Sequence, residues 1–253
     1  MQIPFPGILP LLLFAFLVAL IYSSVGHGGA SGYLALLSFF SFSHDQMATS
    51  ALCLNVLVSG MAFLMFWRSH HFSWRLTWPF VITSLPAAFW GGTLHLSAAL
   101  YSRLLAFVFV MAAVRLLIDV PSGKEETKPL NLPFFVSFLI GMMIGALSGI
   151  VGVGGGIFLS PLLLFLGGVN AKQTAATSAF FIFVNSLAGL GGRLIKHSFA
   201  LQDSFLLMGL VLAASVGGLL GSRLGARHFS CLGLRRILAG VLFIASFKLL
   251  RLQ

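Results

Sequence analysis

A run of glycines in the middle of the chain limits what the chain can fold into. Residues 148–156 read Ser-Gly-Ile-Val-Gly-Val-Gly-Gly-Gly, with five glycines in nine positions inside an apolar stretch from 134 to 166. A glycine in a helix interior costs about 1 kcal/mol relative to alanine, so this run predicts a break in a helix. A second glycine-rich run occurs at residues 24–30, which read Ser-Val-Gly-His-Gly-Gly-Ala. Both runs contain the pattern Val-Gly-x-Gly-Gly.

The composition shows which solvent surrounds these breaks. Apolar residues make up 58% of the 253 residues and charged residues only 8%, whereas a soluble domain carries about 25% charged residues. We therefore predict an all-α polytopic membrane protein with about eight transmembrane segments. In lipid, the backbone groups freed by a broken helix need partners inside the protein or in a water-filled cavity. The two runs thus indicate two broken membrane helices, one in each half of a transporter.

The two halves of the chain match each other in several places. Gly26 aligns with Gly152, and the segment Ala-Thr-Ser-Ala occurs both at 48–51 and at 176–179. The offset between matched positions rises smoothly along the chain, as small loop insertions would make it. An internal duplication is therefore expected, with a membrane repeat at residues 1–118, a polar linker at 119–132 and a second membrane repeat at 133–253.

Loop charges favour inverted repeats over parallel ones. If each broken stretch is a hairpin that returns to the side it entered, ten Lys and Arg residues face the cytoplasm and five face outward. This agrees with the positive-inside rule, and both termini then face outward. If each stretch crosses once instead, the loop rich in arginine near the C-terminus lies outside, against the rule. The count assigns Arg193 to an outer loop after the sixth span.

The breaks suit an anionic ligand. Half-helix N-termini carry about half a positive charge and bind anions. None of the five Asp and Glu residues lies in the middle of a predicted span, although a cation carrier usually needs a buried carboxylate. Hydroxyl and amide side chains near the breaks add hydrogen-bond donors. We predict a pocket between the breaks, and the candidate substrate-binding residues are Gly26, His27, Gly28, Gly29, Thr49, Ser50, Asn55, Gly152, Gly154, Gly155, Gly156, Thr177, Ser178 and Asn185.

Several of these residues have a structural interpretation as well. His27 either takes a proton from a coupled gradient or hydrogen-bonds to the backbone of the broken helix. The Thr-Ser pairs either bind substrate or bond to the carbonyl four residues back. Glycines elsewhere, such as Gly217 and Gly221, suit close packing between membrane helices.

The motifs resemble the TauE/SafE sulfite exporter family of membrane transporters. The resemblance rests on Val-Gly-x-Gly-Gly in both halves, on the segment 152–156 followed by Pro161, and on Ala-Thr-Ser-Ala at 176–179. It implies a multi-pass bacterial inner-membrane permease with two repeats, whose substrates include sulfite and organosulfonates. The family's glycine motif falls on Gly26, Gly28, Gly29, Gly152, Gly154, Gly155 and Gly156, and its Thr-Ser segment falls on Thr49, Ser50, Thr177 and Ser178.

These observations predict a secondary transporter of a small sulfur-containing anion, with an anion channel or uniporter as the alternative. The chain has no nucleophile–base pair or metal cluster within its spans, so we expect neither an enzyme nor a bound metal or cofactor. If the chain served only as a structural partner of another protein, its two helix breaks would have no explanation. The net charge of +10 fits loops that face anionic lipid, and no basic stripe indicates nucleic-acid binding. The expected partners are the anion, protons as a coupling ion and the lipid bilayer, and a homo-oligomer is left open.

Overall fold

The computed structural model describes residues 5–40, 42–94, 96–117, 133–166, 169–195, 204–227 and 232–251. Every regular element in these ranges is a helix. The helices are α1 (Phe5–Ser24), α2 (Ala30–Ser38), α3 (His44–Arg68), α4 (Trp74–Thr93), α5 (Ala98–Leu117), α6 (Phe134–Val151), α7 (Gly156–Leu166), α8 (Ala171–Ile195), α9 (Ser204–Arg227) and α10 (Leu232–Arg251). The predicted polar linker at 119–132 lies outside the described ranges.

The ten described helices form two sets with the same order of lengths. Each set has a long helix, a short helix of 9 or 11 residues, and three further long helices. Five described helices are both long and apolar enough to cross a bilayer, namely residues 44–68, 98–115, 134–151, 171–195 and 206–226. The all-helical membrane class is therefore confirmed, whereas the count of eight spans and the inverted repeats stay predictions.

The two central helices, α3 and α8, begin with the same kind of cap. At α3, Ser43 accepts a hydrogen bond from the Gln46 backbone N–H, and the Gln46 side chain accepts one from the Ser43 N–H. At α8, Asn170 and Gln173 exchange the same two bonds. Each pair satisfies two backbone donors that a helix start leaves free. This explains why each of the two helices begins directly after its polar turn.

Glycine stripes bring two pairs of helices into backbone contact. The glycines of α6 lie against successive carbonyls of α4, in the pairs Gly141–Phe80, Gly145–Ser84 and Gly149–Ala88. Those of α9 lie against α1, in the pairs Gly217–Phe16, Gly221–Leu20 and Gly225–Ser24. Small residues every four positions allow such close approach, so the close-packing interpretation of Gly217 and Gly221 is confirmed. The first helix of each set thus packs in parallel against the fourth helix of the other set.

The central pair α3 and α8 runs antiparallel. Contacts between them join early residues of one to late residues of the other, in the pairs Asp45–Arg193, Asn55–Ser186 and Gly60–Phe183. The helices therefore face each other along their length. The Asp45 end and the Arg68 end of α3 lie at opposite ends of the bundle.

Each short helix reverses the direction of the long helix before it. The Tyr22 and Ser31 hydroxyl oxygens lie 2.7 Å apart, and Gly32 packs on the Val18 side chain, so α2 runs antiparallel to α1. In the second set, Gly155, the residue before α7, packs against Ile144 of α6. Gly156 and Ser160 of α7 lie against Ile182 and Ser178 of α8, so α7 runs antiparallel to α8. The breaks lie at the tips of these two helical hairpins.

Candidate functional site

Both predicted breaks are present, and left-handed glycines form them. Helix α1 ends at Ser24 and α2 starts at Ala30, while α6 ends at Val151 and α7 starts at Gly156. The φ angles are 75° and 93° at Gly26 and Gly29, and they lie between 79° and 85° at Gly152, Gly154 and Gly155. Residues with a side chain rarely adopt this conformation. The glycine composition of the motif is therefore a backbone requirement at these positions.

Asn55, near the middle of α3, joins the two breaks. Its Oδ1 accepts a hydrogen bond from the Ala30 backbone N–H at 3.0 Å, at the start of α2. Its Nδ2 donates to the Val153 carbonyl oxygen at 3.0 Å, inside the second break, and to the Ser186 hydroxyl at 3.3 Å. Gly28 and Gly154 both pack directly on the Asn55 amide. One buried side chain thus contacts the two hairpin tips at the centre of the bundle.

The outer part of each break packs against an alanine near the start of a central helix. Gly26 packs against the backbone of Ala175 in α8, and Gly152 packs against Ala48 in α3. Ala48 opens the first Ala-Thr-Ser-Ala segment, and Ala175 directly precedes the second. Ile182 of α8 is the common apolar contact, because Gly28, Gly154 and Gly156 all lie against its side chain. Each hairpin therefore reaches across to the central helix of the other half.

His27 connects the first break to the second half of the chain. Its Nε2 lies 3.1 Å from the Ser160 Oγ in α7, and that oxygen lies 2.7 Å from the Ser178 Oγ in α8. Its Nδ1 lies 3.0 Å from the Val25 carbonyl oxygen, which can only accept, so this nitrogen carries a proton. The imidazole is 4% exposed. These contacts are compatible with both interpretations of His27. The imidazole bonds to the backbone of the broken helix, and it also lies at one end of a chain of two serine hydroxyls.

The remaining predicted residues divide into two groups. Thr49 and Ser50 are buried, and their hydroxyls have no hydrogen-bond partner among the described residues; the same holds for Ser148 at the end of α6. Thr177 lies 3.3 Å from the Thr77 hydroxyl of α4. Asn185 donates to the Phe181 carbonyl of its own helix at 2.8 Å. Neither of these two hydrogen bonds reaches a residue of the breaks.

Two residues near the breaks were missed from the sequence. Ser160 lies in the apolar half-helix α7, next to Pro161, and only its position opposite His27 gives it a role. Arg193 was assigned to an outer loop, and this is wrong: it lies inside α8 and is 3% exposed. The apolar pair Leu194 and Ile195 after it was the available signal that the helix continues.

Arg193 is held at the end of α6, just before the second break. Its Nη1 donates to the Asp45 Oδ1 at 3.1 Å, and its Nη2 donates to the Ile150 carbonyl oxygen at 3.1 Å. The Tyr101 hydroxyl donates to the next carbonyl, that of Val151, at 3.1 Å. A guanidinium at a helix C-terminus complements the negative end of the helix dipole. The C-terminus of α6 is thereby capped from two sides.

Two cavities among the described residues lie away from the breaks. One, of about 490 Å³, lies at the Arg68 end of α3 and is lined by Met65, Arg68, Ser69, Arg223 and Ala226. The other, of about 210 Å³, is lined by Phe14, Leu36, Phe39 and Ile244. Between the breaks, the side chains of Asn55, Ile182 and Ser186 occupy the space beside Gly154. The tips of the two hairpins are thus packed closely in this structure.

The loop beside the larger cavity is basic. Partial burial and the nearby charges of Lys172 and His70 lower the pKa of His71 in this loop. The N-terminus of α8 therefore lies close to the C-terminal end of α3, in agreement with their antiparallel packing. Nowhere in the described ranges do three His, Cys, Asp or Glu side chains gather in a way that would hold a metal ion.

Comparison with known proteins places these features in one family. A family model described as sulfite exporter TauE/SafE matches residues 11–249. The chain is 36% identical over 237 residues to the probable membrane transporter protein y4hK of Sinorhizobium fredii, covering 93% of this chain and 95% of that protein. It is 25% identical to the probable membrane transporter protein YjnA of Bacillus subtilis, covering 95% and 98%. No solved structure matches the chain.

Proposed function

Because the chain belongs to the TauE/SafE sulfite exporter family of membrane transporters, we propose that it is a secondary transporter, working as an exporter, of a small sulfur-containing anion such as sulfite or an organosulfonate. The substrate is held between the two broken helices, and access alternates between the two sides of the cell inner membrane. The observation that carries this proposal is the meeting of both breaks at Asn55, near the middle of a helix long enough to span the bilayer.

The charge near the breaks favours an anion. The short helices α2 and α7 both start at the breaks, so the positive ends of their dipoles point toward the centre of the bundle. Arg193 and His27 are the buried residues with a basic side chain in the described part of the chain, and no carboxylate is buried there. The buried hydroxyls of Thr49, Ser50 and Ser148 have donors to offer to a ligand or to water. An oxyanion would satisfy such donors.

Alternating access by inverted repeats has support in the helix directions. The equivalent helices α3 and α8 run antiparallel, as a two-fold axis across them requires. Each hairpin folds back toward the end from which it came, and the two hairpins enter from opposite ends of the central pair. Transporters with this plan carry their substrate near the midplane at discontinuous helices. Rocking of one half against the other would then expose the Asn55 region to each side in turn.

Reconstitution tests the proposal directly. Purified protein in liposomes should move sulfite, thiosulfate or an organosulfonate, with a rate that saturates as substrate concentration rises. Empty liposomes and liposomes with an unrelated membrane protein serve as controls. Flux that does not saturate would favour the channel or uniporter alternative. If none of these anions moved under an imposed pH, voltage or substrate gradient, the proposal would be wrong.

Proton coupling through His27 gives a separate prediction. Valine occupies the equivalent position in the second break. Replacing His27 with valine should flatten the dependence of transport rate on pH between about pH 5 and 8, because valine cannot titrate there. Tyr22, whose ring centroid lies 6.3 Å from that of His27, is a titratable neighbour, and this tyrosine is present in the variant and the wild type alike.

The control for this prediction is a histidine outside the breaks. His71→Val removes a titrating group from the basic loop and should leave the pH profile as it was. If His27→Val retained the wild-type pH profile, His27 would have only its structural role at the break. Transport at a single pH should be measured as well, since loss of the Ser160 contact lowers the rate at every pH without flattening the profile.

A further inference from the structure

The ion pair between Arg193 and Asp45 is unequal in its burial. The Arg193 side chain is 4% exposed, whereas that of Asp45 is 46% exposed. A charged residue inside a membrane protein is costly and usually serves a pathway or a ligand. In this pair the buried partner is the cation, and its counterion lies in the first turn of α3. The carboxylate can therefore leave for water much more easily than the guanidinium can.

The guanidinium is also incompletely satisfied. Its Nη1 and Nη2 bond to Asp45 and to the Ile150 carbonyl, but its buried Nε–H has no acceptor among the described residues. A guanidinium offers five donors in a planar fork that matches an oxyanion with two or three oxygens. Asp45 uses one of its oxygens in the single bond described. Nη2 forms one fork with Nε–H and a second fork with Nη1, so an oxyanion with several oxygens that replaces Asp45 at Nη1 could bond to Nη2 as well.

The position of Arg193 connects it to the second break. The Ile150 carbonyl that it holds lies two residues before Gly152, and Gly152 packs against Ala48, one helical turn from Asp45. An anion bound to Arg193 would thus lie at the outer end of the break and beside the start of α3. Basic residues Arg68 and Arg223 line the cavity at the opposite end of α3.

We propose that Arg193 receives the substrate anion at this end of the transport path, and that Asp45 is an internal counterion which the substrate replaces. This inference rests on the proposed function and names a substrate-contacting residue for it. Exchange of one oxyanion for another keeps the charge of Arg193 balanced throughout. When the anion leaves, Asp45 returns and closes the pair again.

Asp45→Asn and Arg193→Lys test the proposal with opposite expected effects. Asparagine keeps an acceptor oxygen for Nη1 but removes the competing charge, so the KM for sulfite and for methanesulfonate should fall by about threefold or more. Lysine keeps the charge but loses the fork, so KM should rise by about tenfold. Lys248→Gln is the matched control, because Lys248 also donates to a helix-end carbonyl, that of Ser38 at 2.9 Å; its KM should stay near wild type.

Binding should be measured beside transport, as the thermal stabilisation of detergent-solubilised protein by the same two anions. The apparent Kd should change in the same direction as KM in each variant. A simple structural ion pair would instead give Asp45→Asn a lower melting temperature with an unchanged or higher KM and Kd, and this would overturn the inference. If the wild type moved no anion but Asp45→Asn still bound sulfite more tightly, the proposed transport would fail while the anion site at Arg193 would stand.

Discussion

Replacing Asn55 with leucine is expected to abolish transport and to lower the melting temperature by about 5 °C or more. Leucine has the same branched arrangement of side-chain heavy atoms but leaves two buried backbone groups without partners, the Ala30 N–H and the Val153 carbonyl. Each unsatisfied buried group costs about 1–3 kcal/mol. Because these groups belong to different hairpins, the two tips would also lose their common anchor. Transport in liposomes and thermal unfolding in detergent measure the two effects.

Asn185 provides the matched control for this prediction. It is a buried asparagine in the other central helix, but its described hydrogen bond goes to the Phe181 carbonyl of its own helix. Asn185→Leu should therefore have a much smaller effect on transport than Asn55→Leu. Equal losses in the two variants would show that any buried amide in the central pair matters equally, and the special role of Asn55 would be wrong.

The variant Asn55→Asp distinguishes an effect on transport from an effect on folding. Aspartate keeps an acceptor for the Ala30 N–H, but it cannot donate to the Val153 carbonyl when ionised, and it adds a negative charge between the breaks. We expect protein that still purifies as a folded species but transports anions at least tenfold more slowly, because like charges repel at short distance. Wild-type rates in this variant would mean that the anion does not pass close to Asn55.

Replacing Gly154 with alanine is expected to reduce transport more than tenfold. The φ angle of Gly154 is 80°, and a residue with a Cβ pays about 1–2 kcal/mol in this conformation. The added methyl group would also lie 2.5 Å from the Asn55 Nδ2, 2.7 Å from the Ile182 Cγ2 and 2.9 Å from the Ser186 Oγ. Relief of these contacts requires the second hairpin tip to withdraw from Asn55.

Two further variants serve as a control and as a rescue for this prediction. Gly240 lies in α10 with no atom within 4 Å of an added Cβ, so Gly240→Ala should transport normally and be more stable by up to about 1 kcal/mol. Adding Ile182→Ala to Gly154→Ala should restore part of the lost rate, because it removes the Cγ2 atom that the added methyl group would contact. If Gly154→Ala alone transported like the wild type, the packed contact between the second break and Asn55 would not be needed for function.

The class of the protein and the positions of its breaks follow from local sequence. The cost of glycine in a helix acts within the few residues concerned, so the two runs predict their breaks wherever the helices pack. Composition likewise fixes the membrane environment, because too few charged residues are present to cover a water-facing surface. The absence of carboxylates from the predicted spans could also be read directly from the chain. From these features the sequence identified the segments of the candidate site.

Only the tertiary structure decided which side chains meet at those segments. Asn55 bonds to Val153 across 98 residues of chain, His27 to Ser160 across 133, and Asp45 to Arg193 across 148. Asn55 and Asn185 looked equally suited to the site in the sequence, since both lie in the middle of a predicted span that begins with a Thr-Ser pair. The crossed packing of the hairpins gave only Asn55 a place at both breaks. Arg193 became a buried cation because α8 continues through it, and the depth of a side chain in a bundle depends on neighbouring helices that no local pattern describes.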